Sequence, residues 1–218
     1  GGRTMEPQGM AGLRVGDAIG YGWAAFKKTP GPLVVIALVV LVVGALTSGI
    51  GNAVSRESAV FGVIVQIAGY VVSMILSLGL IRVALKVTRG EEVDVADLFK
   101  TDQLGPYIGA SILFGIMVAV GLIFCIVPGV ILAVIYGFYG YVILGRGVGV
   151  GEGFSHAAEI TKGQRGTVFL LGLAFLGINL LGALACGAGL LVSYPITIVA
   201  GGYAYRVLSN EAVAPIAS

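Results

Sequence analysis

Hydrophobic positions in this chain fall in long runs rather than in alternation. Four stretches carry no Asp, Glu, Lys or Arg: Thr29–Ser55 with 27 residues, Ser58–Ile81 with 24, Gln103–Gly145 with 43 and Gly166–Tyr205 with 40. Charge is costly at the centre of a bilayer, and a spanning helix needs ~20 apolar residues. The first two runs therefore hold one span each and the last two hold two. Val127-Pro128-Gly129 and Cys186-Gly187-Ala188-Gly189 break the longer runs, because Pro removes a helix donor and Gly tolerates tight turns. The pattern predicts six spans, roughly 32–51, 59–82, 106–126, 129–146, 167–186 and 189–208. Strands fit poorly: Leu33–Val43 reads LVVIALVVLVV, without the apolar-polar alternation of a membrane barrel. The β-branched content is overridden in lipid, where each segment must satisfy its own backbone.

Lys and Arg give the threading. Of thirteen, only Arg56 falls between spans 1 and 2. Arg3, Arg14, Lys27, Lys28, Arg82, Lys86, Arg89, Lys100, Arg146, Lys162, Arg165 and Arg206 lie before span 1, after span 2, between spans 4 and 5, or near the end of span 6. The positive-inside rule then puts both termini in the cytoplasm. No signal-peptide pattern precedes span 1. The Gly-rich opening, residues 1–13, reads as a flexible cytoplasmic tail, and 209–218 as a cytoplasmic C-terminal tail, around a membrane domain over 14–208.

The inner-side segments repeat. Asp17–Gly31, Val93–Gly105 and Gly153–Gly166 each run from a mixed stretch to a bulky apolar residue (Phe26, Phe99, Ile160), then to polar residues and Gly. The unit is a short helix followed by a transmembrane hairpin, used three times. In the first, Val15, Ile19, Trp23 and Phe26 share a face that ends at Lys27 and Lys28. That pattern suits a helix lying at the headgroup level. Val95, Leu98 and Phe99, and then Phe154, Ala157, Ala158 and Thr161, repeat it more briefly. The expected fold is all-α: six transmembrane helices as three hairpins, each preceded by a short interfacial helix.

Composition narrows the function. Hydrophobic residues make up 57% and charged residues 11%, with a net charge of +2 and a mean hydropathy of +1.01. An ordinary soluble domain is ~25% charged. A soluble enzyme and a nucleic-acid binder with a dense basic face are both excluded.

Several motifs together resemble a known group. Pro128-Gly129-Val-Ile-Leu opens a span, followed by Tyr141-Val-Ile-Leu and the helix-like Glu152–Gly163. Cys186-Gly-Ala-Gly-Leu-Leu-Val-Ser-Tyr-Pro195 and Tyr203-Ala-Tyr-Arg206 complete the set. This is similar to bacterial six-span membrane proteins without an assigned activity: the YciC-like proteins and the membrane domain attached to some glycerophosphodiester phosphodiesterases. The Gly-rich opening with Pro7 looks like the inner tails of actinobacterial members. The resemblance covers roughly 14–208 and implies the fold. No phosphodiesterase catalytic domain accompanies it, so that activity is not implied.

Reactive constellations are sparse. His156 adjoins Ser155 and precedes Glu159 by three, but neighbouring residues on a helix point apart, so no triad forms. Two Cys and one His do not make a metal site. Glu91, Glu92, Asp94 and Asp97 read as a solvated acidic loop, and Gly145–Gly153, with Gly at every second position, as a flexible connector. Trp23, Lys27, Lys28, Arg146 and Arg165 are the candidates for lipid headgroup contact. Gly62, Gln66, Gly69, Ser73 and Ser77 share a face of span 2. In span 4, Gly129, Ala133 and Gly137 do likewise. These faces pack helices or, with Asn179, line a path. Cys125 and Cys186 end spans 3 and 5 on the outer side. A disulfide there would close a loop worth ~4 kcal/mol in the chain-entropy model; as free thiols they act as small hydrophobes.

The resulting expectation is a non-catalytic accessory or scaffold protein in envelope or lipid processes, multi-pass in a bacterial cytoplasmic membrane. Its partners are membrane lipids, with other membrane proteins or its own copies, and no nucleic acid or cofactor. The alternative is an uncoupled transporter or oligomeric channel for a small or lipid-like substrate. Ion coupling is disfavoured, because no span carries an ionisable residue at its centre.

Overall fold

The computed structural model describes residues 12–57, 59–184 and 189–216, apart from the side chains of 52, 55–57 and 59. Every element among them is helical. In order they are α1 (Val15–Lys28), α2 (Pro30–Glu57), α3 (Ala59–Arg89), a 3-10 turn (Val95–Phe99), α4 (Leu104–Phe124), α5 (Ile126–Tyr136), α6 (Tyr139–Arg146), α7 (Val150–Ile160), α8 (Arg165–Leu184) and α9 (Leu190–Leu208). Five stretches are long and apolar enough to cross a membrane: Pro30–Gly51, Val60–Arg89, Leu104–Phe124, Ile126–Arg146 and Arg165–Leu184. The sixth expected span coincides with α9, which is a helix but is not among the five. It carries Ser193, Tyr194, Thr197, Tyr203, Tyr205 and Arg206, which lower its apolarity.

Helix α9 is the hub. It packs against α1, α2, α3, α6 and α8, and its residues from Val199 to Tyr205 are all buried. Neighbours in sequence also pair: α2 with α3, α4 with α5, α8 with α9. Two of these pairs meet through glycine. A Cβ on Gly121 would come within 2.8 Å of the Gly129 Cα, and one on Gly189 within 2.6 Å of the Gly182 oxygen. Only a missing side chain permits so close a backbone approach.

Span 4 is not one continuous helix. It breaks at Gly137 and Phe138, between α5 and α6. A carbonyl exposed by such a break needs a partner inside an apolar fold. The Thr161 hydroxyl, which the Ala157 oxygen shares at 2.9 Å, reaches the Ile135 oxygen at 3.1 Å.

The short helices dock inward more than an interfacial position requires. Helix α1 lies on α9 through Ala18, Gly22 and Ala25, and a Cβ on Gly22 would collide with the Ile196 carbonyl oxygen. Its other stripe looks away, with Trp23 46% exposed. Helix α7 does the reverse. Its apolar stripe, Phe154, Ala157 and Thr161, is buried against α4, α5 and α6. The Gly-rich connector is correspondingly shorter than expected, since α7 begins at Val150.

The charged segments converge at one end of the bundle. Arg89 reaches the Gly145 oxygen at 3.5 Å, the Leu13 amide donates to Gln164 Oε1 at 2.6 Å, and the Ala214 amide donates to the Thr88 oxygen at 2.9 Å. Residues 210–216 are therefore folded back on the bundle, and Leu13, assigned to the N-terminal tail, is buried in the core. The rest of that tail, residues 1–11, lies outside the described residues.

Candidate functional site

Three arrangements hold the polar groups of this apolar chain. The first joins α8 to α9. Asn179 Nδ2 donates to the Phe175 oxygen at 2.9 Å and lies 3.1 Å from Thr197 Oγ1, while the Ser193 hydroxyl donates to Asn179 Oδ1 at 3.2 Å. An unsatisfied amide in an apolar interior costs ~1–3 kcal/mol, so this set fixes the register of the two helices. Nearby, the Tyr141 hydroxyl donates to the Ile198 oxygen at 3.2 Å.

The second arrangement overturns the reading of the acidic stretch as a solvated loop. Asp97 is 1% exposed and receives Lys86 Nζ at 2.8 Å and Lys100 Nζ at 2.6 Å. The Asp94 amide donates to it as well, at 3.1 Å, in a capping box that starts the 3-10 turn. Burial alone would raise the Asp97 pKa. The hydrogen bonds from Lys100, Lys86 and the Asp94 amide, with the Lys86 charge, outweigh it and hold the carboxyl well below the usual range. Arg82 seals the same corner, donating to the Lys100 oxygen at 2.6 Å and the Asp102 oxygen at 3.0 Å. The turn sits so tightly on α3 that a Cβ on Gly79 would lie 2.5 Å from the Leu98 Cα. Glu91, Glu92 and Asp94 remain exposed, as expected. Spacing of carboxylates did not reveal the clamp; the one sequence signal was the Asp94–Asp97 interval, a helix-start pattern.

The third lies where α1, α3 and the returning C-terminal segment meet. Tyr21 donates to the Ala214 oxygen at 3.0 Å and its ring faces Tyr203, with centroids 4.9 Å apart. Burial pushes the Tyr21 hydroxyl up to about 12, against the opposing pull of Arg206, so it remains a donor at neutral pH. Lys28, Thr29, Val87, Glu91 and Pro215 line a cleft of about 390 Å³ beside it.

The expected packing face of span 2 divides. Gly62 and Gly69 are buried, and Gly69 faces Thr47 so closely that a Cβ would collide with the threonine methyl group. Gln66 is exposed and runs beside Gly51. Ser73 is exposed and Ser77 half-buried. Asn179 belongs to the α8–α9 set, so it and Gln66 serve different helix pairs. Trp23 stacks on Phe26 with centroids 6.2 Å apart, and Lys27 Nζ stands 5.6 Å from the Trp23 ring centroid. Lys28 and Arg146 are exposed at the charged end. Cys125 is exposed between α4 and α5; Cys186, the other residue of the possible disulfide, lies outside the described residues. His156 Nδ1 is 3.5 Å from Glu159, one turn along α7. Among the described residues no group of three His, Cys, Asp or Glu is placed to hold a metal ion.

A groove of about 540 Å³ runs between α5 and the start of α8, with an apolar α5 wall, Phe169 on the opposite side and Arg165 at its rim. Nothing in the hydropathy pattern marked it, because α5 and α8 are not neighbours in sequence.

The chain is similar to an uncharacterised protein of Mycobacterium bovis, strain ATCC BAA-935 / AF2122/97. The two are 27% identical over an alignment covering 94% of this chain and 73% of the relative. Uncharacterised proteins of Mycobacterium tuberculosis strains CDC 1551 / Oshkosh and ATCC 25618 / H37Rv are similar to the same extent. No family model matches the chain and no solved structure matches it. The likeness to YciC-like proteins thus rests on the sequence motifs alone.

Proposed function

We propose that this chain is a non-catalytic integral protein of a bacterial cytoplasmic membrane. It serves as an accessory or scaffold in envelope or lipid processes. In this reading α9 is a sixth span, the spans form three hairpins, and both termini are cytoplasmic. The observation that carries the proposal is the distribution of polar and apolar groups. Polar side chains bond to one another inside, while large apolar ones cover the outside: Leu46 is 58% exposed, Phe124 83% and Leu176 65%. Such a surface suits contact with lipid and with other transmembrane helices. The convergence of charged segments at one end supports the orientation, by the positive-inside rule.

Two experiments test the reading. With the native cysteines replaced, a single Cys at Ala53 should react with an impermeant thiol reagent in intact cells, and one at Asp102 should not. Both positions are exposed. The reverse pattern overturns the orientation. Gentle purification followed by native mass spectrometry should retain phospholipids and partner proteins. Solute flux through vesicles containing the purified chain alone would instead establish a transporter or channel.

A further inference from the structure

We propose that the groove between α5 and α8 binds one anionic phospholipid, an acyl chain lying along α5 and the headgroup phosphate on Arg165. The inference rests on the proposed lipid-facing function and names its ligand and place.

The wall of the groove is a helical stripe. Val127, Val130, Ile131 and Val134 lie along one side of α5, and Phe169 of α8 faces them. From Ile126 to Ile135 the wall runs roughly 14 Å at 1.5 Å per residue, about half the ~30 Å hydrocarbon thickness of a bilayer. That length is enough to hold much of one acyl chain. Neighbouring helices leave the slot open: Val127 is 61% exposed, Ile131 50% and Phe169 40%.

Charge selects the occupant. Arg82, Lys86, Lys100 and Arg206 are each paired with a carboxylate. Arg165, like Lys27, Lys28, Arg89, Arg146 and Lys162, has no carboxylate partner among the described residues; of these cations it is the one that lines the groove, and no Asp or Glu does. The residue beside it, Gly166, has open space where a side chain would be, leaving room for a headgroup. A guanidinium is suited to phosphate, which it grips through two parallel N–H donors. A purely apolar partner helix would leave that cation without a counter-charge, so an amphiphile with a phosphate at one end fits better.

The probe is phosphatidylglycerol carrying a photoactivatable diazirine in one acyl chain, with phosphatidylcholine bearing the same chain as control. Both are reconstituted with the full chain in vesicles. The expected result is labelling of 126–135 and 165–169, about fivefold stronger from the anionic probe, the ratio that ~1 kcal/mol per cation near a membrane surface gives. Arg165→Gln should abolish the preference and Arg165→Lys should keep most of it. Val130→Trp should block labelling by both probes, with circular dichroism checking that helicity is retained. Equal labelling by the two probes overturns the proposal. So does disulfide crosslinking of two copies of the chain through a single Cys introduced at Ile131, which makes the groove a self-association surface. Labelling spread over α2 and residues 173–184 of α8 but absent from the groove removes this site while leaving the broader lipid-contact function standing. No labelling anywhere, with no lipid retained on purification, removes both.

Discussion

Helix α8 and helix α9 follow one another and pack together, yet they are built on opposite rules. Helix α8 is mostly apolar, with Asn179 its one polar group past the first turn, and turns its leucines outward: Leu176, Leu181 and Leu184 are 65%, 69% and 73% exposed. Helix α9 carries hydroxyls, tyrosines and an internal proline, Pro195, and is the most enclosed long helix in the fold. In water the more apolar helix would be the inner one. In lipid the drive to hide leucine disappears, and packing and hydrogen bonding decide what goes inside. Small residues and satisfied polar groups therefore mark the interior of this protein, and leucine marks its outside.

Substitutions along this divide should differ sharply in cost. The largest effect is expected inside the charged corner. Asp97→Asn leaves two ammonium groups facing a neutral amide. Breaking a buried pair of this kind costs several kcal/mol, and because Lys86 and Lys100 are partly solvated the loss should be about 3 kcal/mol. Thermal unfolding in a fixed detergent measures it. The pH dependence has a definite sign. The folded carboxyl titrates below the unfolded value of ~3.9, so its contribution is complete above that value and is lost as pH falls below it. The difference between the wild-type chain and Asp97→Asn should therefore shrink on going from pH 6 towards pH 3. A constant difference would show that Asp97 acts by packing alone.

Gly22→Leu comes next. It forces a side chain into the Ile196 backbone and should cost ~1–3 kcal/mol, the usual range for overpacking. Limited proteolysis should then cut α1 free sooner. Resistance equal to that of the wild-type chain would mean that α1 does not depend on α9.

Asn179→Leu should be milder, about 1 kcal/mol, since hydrogen bonds between membrane helices average below that. It also makes α8 more apolar, so a scale based on hydropathy predicts stabilisation, and the sign of the change in unfolding temperature separates the two views. Leu181→Ala, on the outer face, should stay within ~0.5 kcal/mol. A loss comparable to that of Gly22→Leu would place a protein partner on that face.

Much of the helix layout was legible because charge and proline act locally. The expected 167–186 and 189–208 differ by only a few residues from Arg165–Leu184 and Leu190–Leu208. The break at Gly137 and Phe138 escaped notice because both residues are tolerated within membrane helices, and the compensating Thr161 hydroxyl lies in another element. Which face of a short helix docks was equally hidden. Trp23 and Ala18 sit on different sides of α1, and apolar periodicity favours the tryptophan side, while fit to α9 favours the alanine. Asp97 was misread because a sequence gives the charge of a group but not its distance from Lys86. The groove depends on the approach of α5 to α8, information that no local pattern contains.

The place of the hub after the helices it packs against also sets an order of assembly. Tyr21 and Ala214, which bond to each other, are separated by 193 positions. At ~5–20 residues per second a ribosome needs roughly 10–40 s to make that interval. Until α9 is made, α1 and then α3 exist without the helix they surround, and the inward faces of the earlier helices must be occupied by lipid or by insertion factors. Completion of α9 is thus the event that closes the fold, and a chain interrupted before it would present its small-residue faces to the membrane and to the proteases that survey it.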